Sequence, residues 1–77
     1  FPNPFQETLN LNFVANGGQS SIQILNMNGQ EVAPEISEEF EAGNHQISVN
    51  LSHLKSGIYL ARYRNEEYQE VVRIMKK

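Results

Sequence analysis

Apolar and polar residues alternate with a period of two along most of the chain. This alternation puts apolar side chains on one face of an extended segment and polar side chains on the other, so it predicts half-buried β-strands. The segments that show it are residues 8–13, 22–24, 45–51 and 68–74, with Glu70 interrupting the apolar series in the last. No window has the three-to-four-residue apolar spacing of an amphipathic helix.

Short clusters of turn-forming residues separate these segments. Asn28-Gly29 is the strongest of them, because both residues tolerate a positive φ, and it predicts a hairpin between residues 22–27 and 30–36. Pro34 has no N–H to donate to a β-ladder, so its stretch belongs at a sheet edge or at a bulge. The other turn clusters are Asn16-Gly17-Gly18, Gly43-Asn44, Ser56-Gly57 and Asn65-Glu66-Glu67.

The number and spacing of the strands predict the fold class. Six or seven short strands separated by turns are typical of an all-β, Ig-like antiparallel β-sandwich. With 77 residues the chain has room for one domain, residues 1–77. Residues 57–64 are apolar on both faces, which favours a central strand. The motif Leu54-x-x-Gly57-x-Tyr59 predicts a tyrosine corner, in which the phenol oxygen bonds to the backbone upstream and Gly57 lets the chain swing between sheets.

Composition and charge exclude several classes of function. The net charge is −3 and the six basic residues are scattered until the C-terminus, which argues against a nucleic-acid-binding face. The absence of Cys excludes disulfides, Cys-ligated zinc and thiol catalysis, and Asp, a common Ca²⁺ ligand, is absent too. No stretch reaches 18 apolar residues, so no transmembrane segment is predicted. The chain begins with Phe1 rather than Met, which indicates a fragment of a larger protein.

The residues able to carry chemistry form no catalytic or metal-binding pattern. His45 and His53 are the two histidines, and both are interpreted as exposed turn residues without Cys or Asp beside them. No serine lies in a Gly-x-Ser-x-Gly elbow. The sequence therefore predicts a non-enzymatic domain with no metal and no cofactor. One acidic stretch is interpreted as a solvated strand edge protected by charge, with a Ca²⁺ site or a basic partner left open. It consists of Glu31, Glu35, Glu38, Glu39 and Glu41.

Aromatic residues leave a second function open. Phe1, Phe5, Tyr63 and Tyr68 are expected to be exposed and could stack on sugar rings. The alternative function is therefore an Ig-like carbohydrate-binding or adhesive module of a secreted protein. In the preferred interpretation Phe5 and Tyr68 cover the open ends of the core.

Four motifs, in order along the whole chain, resemble one known family. They are Phe1-Pro2-Asn3-Pro4-Phe5, Asn28-Gly29-Gln30-Glu31-Val32, Leu54-Lys55-Ser56-Gly57-Ile58-Tyr59 and Arg73-Ile74-Met75-Lys76-Lys77. Each motif alone is weak, but the ordered set is similar to the type A C-terminal sorting domain of the type IX secretion system of Bacteroidetes. Arg73 stands where Lys is more usual in that family, and the basic character is kept.

The resemblance implies a sorting role for the domain. It implies a precursor with an N-terminal cargo domain that crosses the periplasm in transit and ends at the cell surface or secreted. The implied partners are the secretion translocon and a surface sortase that removes the domain near or before Phe1. A homodimer formed by strand exchange stays open. The residues expected to take part in recognition are Pro2, Asn3, Pro4, Gly57, Tyr59, Arg73, Lys76 and Lys77.

The two ends of the chain have a physical interpretation beside the resemblance. Pro2 and Pro4 fix their own φ and bias the preceding residues toward extended conformations, so they form a stiff lead-in. Lys76 and Lys77 are expected to extend past the last strand, where their charges stay solvated and can meet an acidic receptor or an anionic surface.

Overall fold

Six β-strands make up the part of the chain that the computed structural model describes, residues 7–77, and no helix occurs within it. The strands are β1 Thr8–Ala15, β2 Gly18–Leu25, β3 Ile36–Phe40, β4 Gly43–Asn50, β5 Gly57–Asn65 and β6 Gln69–Lys76. The expected recognition residues Pro2, Asn3 and Pro4 lie outside the described residues, as do the aromatic residues Phe1 and Phe5.

The strands form two antiparallel sheets. One sheet has the order β1-β4, and the other has the order β3-β2-β5-β6. The connections β1–β2, β3–β4 and β4–β5 each carry the chain from one sheet to the other, which gives the predicted sandwich arrangement. β5 lies between β2 and β6, so the prediction of a central strand from its apolar residues on both faces is confirmed.

The core lies between the two sheets and contains apolar residues from both. Leu51, directly after β4, is fully buried, and Ile74 of β6 is 1% exposed. Partly buried apolar residues from β1, β4 and the turn before β5 pack against this core. The buried cluster consists of Leu9, Ile24, Ala33, Leu51, Ala61 and Ile74. The alternation of apolar and polar residues thus predicted the inward faces of β1, β2 and β6 correctly.

The predicted hairpin at Asn28-Gly29 forms, with one residue of its loop in the left-handed conformation. Gly29 has a φ of 84°, and no residue other than glycine has a positive φ in the described part of the chain. The N–H of Gly29 donates to Asn26 O (3.0 Å), and the N–H of Asn26 donates to Gln30 O (2.8 Å). These bonds close a three-residue loop in which only Gly29 must be left-handed. The predicted hairpin is confirmed, and the tolerance of Asn28 for a positive φ is not used.

Pro34 interrupts the strand that pairs with the edge of β2. Leu25 pairs with Glu31, and Ile22 pairs next with Ile36, so the partner chain has two more residues between its pairs than β2 has. Pro34 lies within this interruption, as its missing N–H requires. The prediction of an edge or bulge at Pro34 is confirmed. The five glutamates of the acidic stretch are all exposed along this edge.

Five aromatic rings cluster at one end of the sandwich. The ring centroid of Phe13 lies 5.0 Å from the centroids of Phe40 and Tyr63 and 5.6 Å from that of His45. The fifth ring, that of Tyr68, lies 5.8 Å from Tyr63. His45 is a half-buried residue within β4, and its Nε2 lies 2.6 Å from Glu41 O. The interpretation of His45 as an exposed turn residue was therefore wrong, because its parity in β4 turns the ring toward the core. Tyr63 is 7% exposed and was also wrongly expected at the surface.

Candidate functional site

The passage from β4 to β5 forms the predicted tyrosine corner. Gly57 opens β5 with a φ of 154°, a conformation that residues with a Cβ rarely adopt. Two residues later, Tyr59 Oη donates a hydrogen bond to Lys55 O at 2.7 Å. The phenol therefore ties the strand to the turn that precedes it, four residues upstream. This confirms the motif-based prediction for Gly57 and Tyr59.

Lys76 lies in β6 and does not extend past it. It is the last residue of that strand, pairs with Gly57 and is only 9% exposed. Its Nζ donates to Leu54 O at 2.8 Å. The expectation of a solvated lysine beyond the last strand was wrong, because Lys76 has the same parity as the buried Ile74 and so points to the same side of the sheet. This parity was readable from the sequence.

Two neighbouring carbonyls receive these two side chains. Leu54 O accepts from Lys76 and Lys55 O accepts from Tyr59, so one short turn is held by residues from both β5 and β6. We call Leu54, Lys55, Gly57, Tyr59 and Lys76 the corner. The arrangement satisfies backbone acceptors that would otherwise need water, and it fixes the end of the last strand against the rest of the sandwich.

The turn inside the corner is also attached to the core. Leu54 N donates to Leu51 O at 3.0 Å, and Leu51 N donates to Glu7 O at 2.7 Å. Since Leu51 is fully buried, the turn cannot shift without disturbing core packing. The corner is therefore a rigid structural joint between the beginning of β1, the end of β4 and the end of β6.

Arg73 and Lys77 are not part of the corner. Both are exposed, and Arg73 lies on the opposite face of the four-stranded sheet, beside Leu60. Of the expected recognition residues within the described chain, the structure thus brings Gly57, Tyr59 and Lys76 together and leaves Arg73 and Lys77 exposed outside this group.

The polar side chains of the corner hold the backbone in place. The phenol and the ammonium are both bonded to backbone carbonyls, and within residues 7–77 no buried side-chain nitrogen or oxygen lacks a hydrogen-bond partner. His53 lies near this end, where its Nε2 is 3.0 Å from Val32 O. No group of three or more His, Cys, Asp or Glu residues in the same described range could hold a metal ion.

The described aromatic residues do not form a flat platform for sugar rings. Tyr63 is buried, and the Tyr68 ring is tilted by 50° to it at a centroid distance of 5.8 Å. Tyr68 Oη donates to Val14 O at 3.0 Å, which attaches β1 to the turn before β6. Tyr68 is 41% exposed, and its ring lies against that of the buried Tyr63.

Within residues 7–77 there is no helix that is long and apolar enough to cross a bilayer.

Comparison with known proteins gives one match. No curated protein and no solved structure matches the chain. A family model described as "Secretion system C-terminal sorting domain" matches residues 1–77, the whole chain. The chain therefore belongs to the family of secretion system C-terminal sorting domains, the signals that direct proteins through the type IX secretion system to the cell surface or beyond it.

Proposed function

We propose that the chain is a non-catalytic address module that the secretion machinery recognises through the outer edge of β6 and the residues at its end. The observation that carries the proposal is the position of β6. It is the last strand in the order β3-β2-β5-β6, so one of its edges has no partner strand within residues 7–77.

The edge of β6 suits recognition by strand addition. The strand has eight residues, contains no proline and pairs with β5 along its whole length. An edge of this kind presents backbone N–H and C=O groups to which an extended segment of a partner can pair. A homodimer by strand exchange would use the same edge and would therefore compete with the machinery for it.

The expected recognition residues divide into two roles under this proposal. Gly57, Tyr59 and Lys76 position the end of β6 through the corner and make no contact with the partner. Arg73 and Lys77 are exposed and contact it directly. Pro2, Asn3 and Pro4 remain proposed as the stiff connection to the cargo, on the basis of their sequence alone.

The proposal includes the rest of the route. Residues 1–77 form a single domain at the C-terminal side of a larger precursor, which crosses the periplasm before the translocon takes it through the outer membrane. A surface sortase then separates the domain from the N-terminal cargo. Membership of the sorting family supports the type IX route. The passage through the periplasm and the cleavage by a sortase are our additions to it.

A reporter fusion tests the proposal. A reporter with a periplasmic signal peptide carries residues 1–77 at its C-terminus in a type IX-competent Bacteroidetes strain, and surface and culture-medium reporter are measured. We expect export with the full domain and retention in the periplasm when residues 57–77 are deleted. Equal export of the two fusions would overturn the proposal.

Two lysine variants separate contact from positioning. Lys77→Ala should reduce export while leaving the unfolding midpoint of the domain unchanged, because Lys77 is exposed beyond β6. Lys76→Met should lower the unfolding midpoint, because it removes the hydrogen bond to Leu54 O. If Lys77→Ala exports like the parent fusion, Lys77 has no part in recognition.

A further inference from the structure

All three arginines of the chain lie on one face of the four-stranded sheet. Arg62 pairs with Val71, Arg64 pairs with Gln69, and Arg73 pairs with Leu60. Directly paired residues of antiparallel strands point to the same side, and this side is opposite to the core-facing Ala61 and Ile74. The three arginines, which are separated in the sequence, are thus brought to one surface by the register of β5 and β6.

Apolar side chains lie between these arginines. Ile58 pairs with Met75, and Leu60 lies between Ile58 and Arg62 along the same face of β5. Val71 is 48% exposed and Met75 is 46% exposed, whereas Ile58 and Leu60 are half-buried. We call this surface the arginine face. It consists of Ile58, Leu60, Arg62, Arg64, Val71, Arg73 and Met75.

The glutamates nearest to the arginine face lie at its borders: Glu31 accepts a hydrogen bond from Gln23 beside Arg62, and Glu35 and Glu66 line a surface recess together with Arg64. No glutamate occupies an outward position of β5 or β6, although the chain contains nine. Glu39 lies on the same side of the sheet but on the far edge strand β3, and Glu70 has the inward parity of β6. In a domain with a net charge of −3, the outward positions of β5 and β6 therefore carry three arginines and several apolar residues with no glutamate among them.

One guanidinium on this face is held in a fixed orientation. Arg62 donates from Nε to Gln23 Oε1 at 2.9 Å and also donates from Nη2 to the same oxygen. Gln23 in turn donates from Nε2 to Glu31 Oε2 at 3.1 Å. Arg62 is therefore already hydrogen-bonded within the domain, whereas Arg64 and Arg73 are exposed.

We propose that the arginine face binds an acidic segment of a protein component of the secretion machinery. Carboxylates of that segment pair with Arg64 and Arg73, which are exposed, and its aliphatic side chains cover Val71 and Met75. Arg and Met are enriched at protein–protein interfaces, and Arg pairs with carboxylates in a planar, bidentate geometry. The inference rests on the proposed function and deepens it by naming the surface and the chemistry of the partner.

The composition of the face favours a protein partner over two other occupants. Binding to anionic lipid relies on clusters of about four to eight basic residues, whereas this face has three in a chain of negative net charge. A second copy docked through the same face by two-fold symmetry would bring arginines against arginines, and such like-charge contacts are unfavourable.

A pair of variants with the same change in charge tests the face in the reporter fusion. Arg64→Gln with Arg73→Gln lowers the net charge by two on the arginine face. Thr8→Glu with Gln46→Glu lowers it by two at exposed positions on the outward face of the β1-β4 sheet. We expect export to fall about tenfold for the arginine variant and to stay within about twofold for the control, because rim charges set the encounter rate with a complementary partner. Equal export of the two variants would contradict the inference.

Photo-crosslinking identifies the occupant. A photoreactive amino acid replaces Val71 in the exporting fusion, and a second fusion carries it in place of Gln46. Crosslinking of the Val71 position, and not of the Gln46 position, to an Asp- and Glu-rich segment of an envelope protein supports the proposal. Crosslinks to lipid, to a second copy of the domain or to a segment without clustered carboxylates overturn it, and so does the absence of any crosslink specific to Val71.

The failure of the inference is distinguishable from that of the proposed function. If the parent fusion is not exported, the sorting role of the domain fails. If the parent fusion is exported and the arginine variant is exported equally well, only the arginine face is excluded. The unfolding midpoint of each variant shows whether a loss of export reflects loss of the fold.

Discussion

The Nζ atom of Lys76 donates a hydrogen bond to the carbonyl oxygen of Leu54 at 2.8 Å, across 22 residues of sequence. Lys76 is buried, and its charged end reaches the turn before β5. The next carbonyl of that turn, Lys55 O, accepts a hydrogen bond from Tyr59. A residue that looked like part of a charged tail therefore holds the last strand in place.

Replacing Lys76 with methionine should destabilise the fold. Methionine keeps the unbranched aliphatic side chain but cannot donate to Leu54 O. We expect a loss of about 1.5–3 kcal/mol in the free energy of unfolding, the range for a hydrogen bond with one charged partner. Urea denaturation followed by circular dichroism measures it. Lys77→Met is the matched control and should change the value by less than about 0.5 kcal/mol. Equal effects of the two substitutions would show that the bond contributes nothing.

Removing the phenol oxygen of Tyr59 should weaken the corner without creating a cavity. Tyr59→Phe keeps the ring and loses the bond to Lys55 O, at an expected cost of about 1 kcal/mol. Because Leu54 and Lys55 are adjacent, we expect the double variant with Lys76→Met to be non-additive by about 0.5 kcal/mol or more. A double-mutant cycle in urea measures the coupling. Strict additivity would mean that the two bonds hold the turn independently.

Gly29 should tolerate asparagine better than alanine. Its φ of 84° is left-handed, and a Cβ placed there would meet nothing within 4 Å, so the cost of a side chain comes from backbone strain alone. We expect Gly29→Ala to destabilise the domain by about 1 kcal/mol and Gly29→Asn by less, since asparagine adopts this conformation more readily. Thermal unfolding of the two variants gives the order. A more stable alanine variant would contradict the turn geometry.

Leu51 should be among the most sensitive positions of the core. Its side chain is fully buried beside the turn that forms the corner. Leu51→Ala should cost about 2–5 kcal/mol through lost burial and the cavity that remains. Val14, which is 55% exposed, provides the control, and Val14→Ala should cost less than about 1 kcal/mol. Similar losses at the two positions, measured by urea unfolding, would be inconsistent with the burial pattern.

The alternation of residues was sufficient to predict the strands and much of the core. Leu9 and Ile74 were placed on inward faces by parity alone, and the structure buries both. The tyrosine corner was also predictable, because its residues are close in sequence and its geometry depends on one glycine and one tyrosine. The edge position of Pro34 followed from the N–H that proline lacks.

The errors arose where a residue was judged by its type instead of its parity. Lys76 was expected in solvent because it is charged and near the end of the chain, although its spacing from Ile74 places it on the inward face. His45 and Tyr63 were also expected at the surface, although the parity of each in its strand places it on the inward face. A long side chain can bury its stem and still place its polar end on a backbone carbonyl, which a hydropathy pattern does not express.

The gathering of the arginines could not be predicted from the sequence. Arg64 and Arg73 come together only through the register between β5 and β6, and a shift of one residue would move one set of side chains to the other face. The turn at Asn65-Glu66-Glu67 sets that register: Asn65 N donates to Tyr68 O, and Asn65 Oδ1 accepts from the N–H groups of Glu67 and Tyr68.

The bond between Lys76 and Leu54 makes the turn before β5 depend on the last residue of β6. The turn at residues 51–54 precedes β6 in the chain, but the carbonyl of Leu54 receives its side-chain donor only when residue 76 is in place. A chain cut short by a few residues would keep most of its strands and lose this joint, so its last strand would be free to fray. A partner that recognises the edge of β6 would therefore bind a chain without residue 76 less well, because the end of that strand would no longer be held in place.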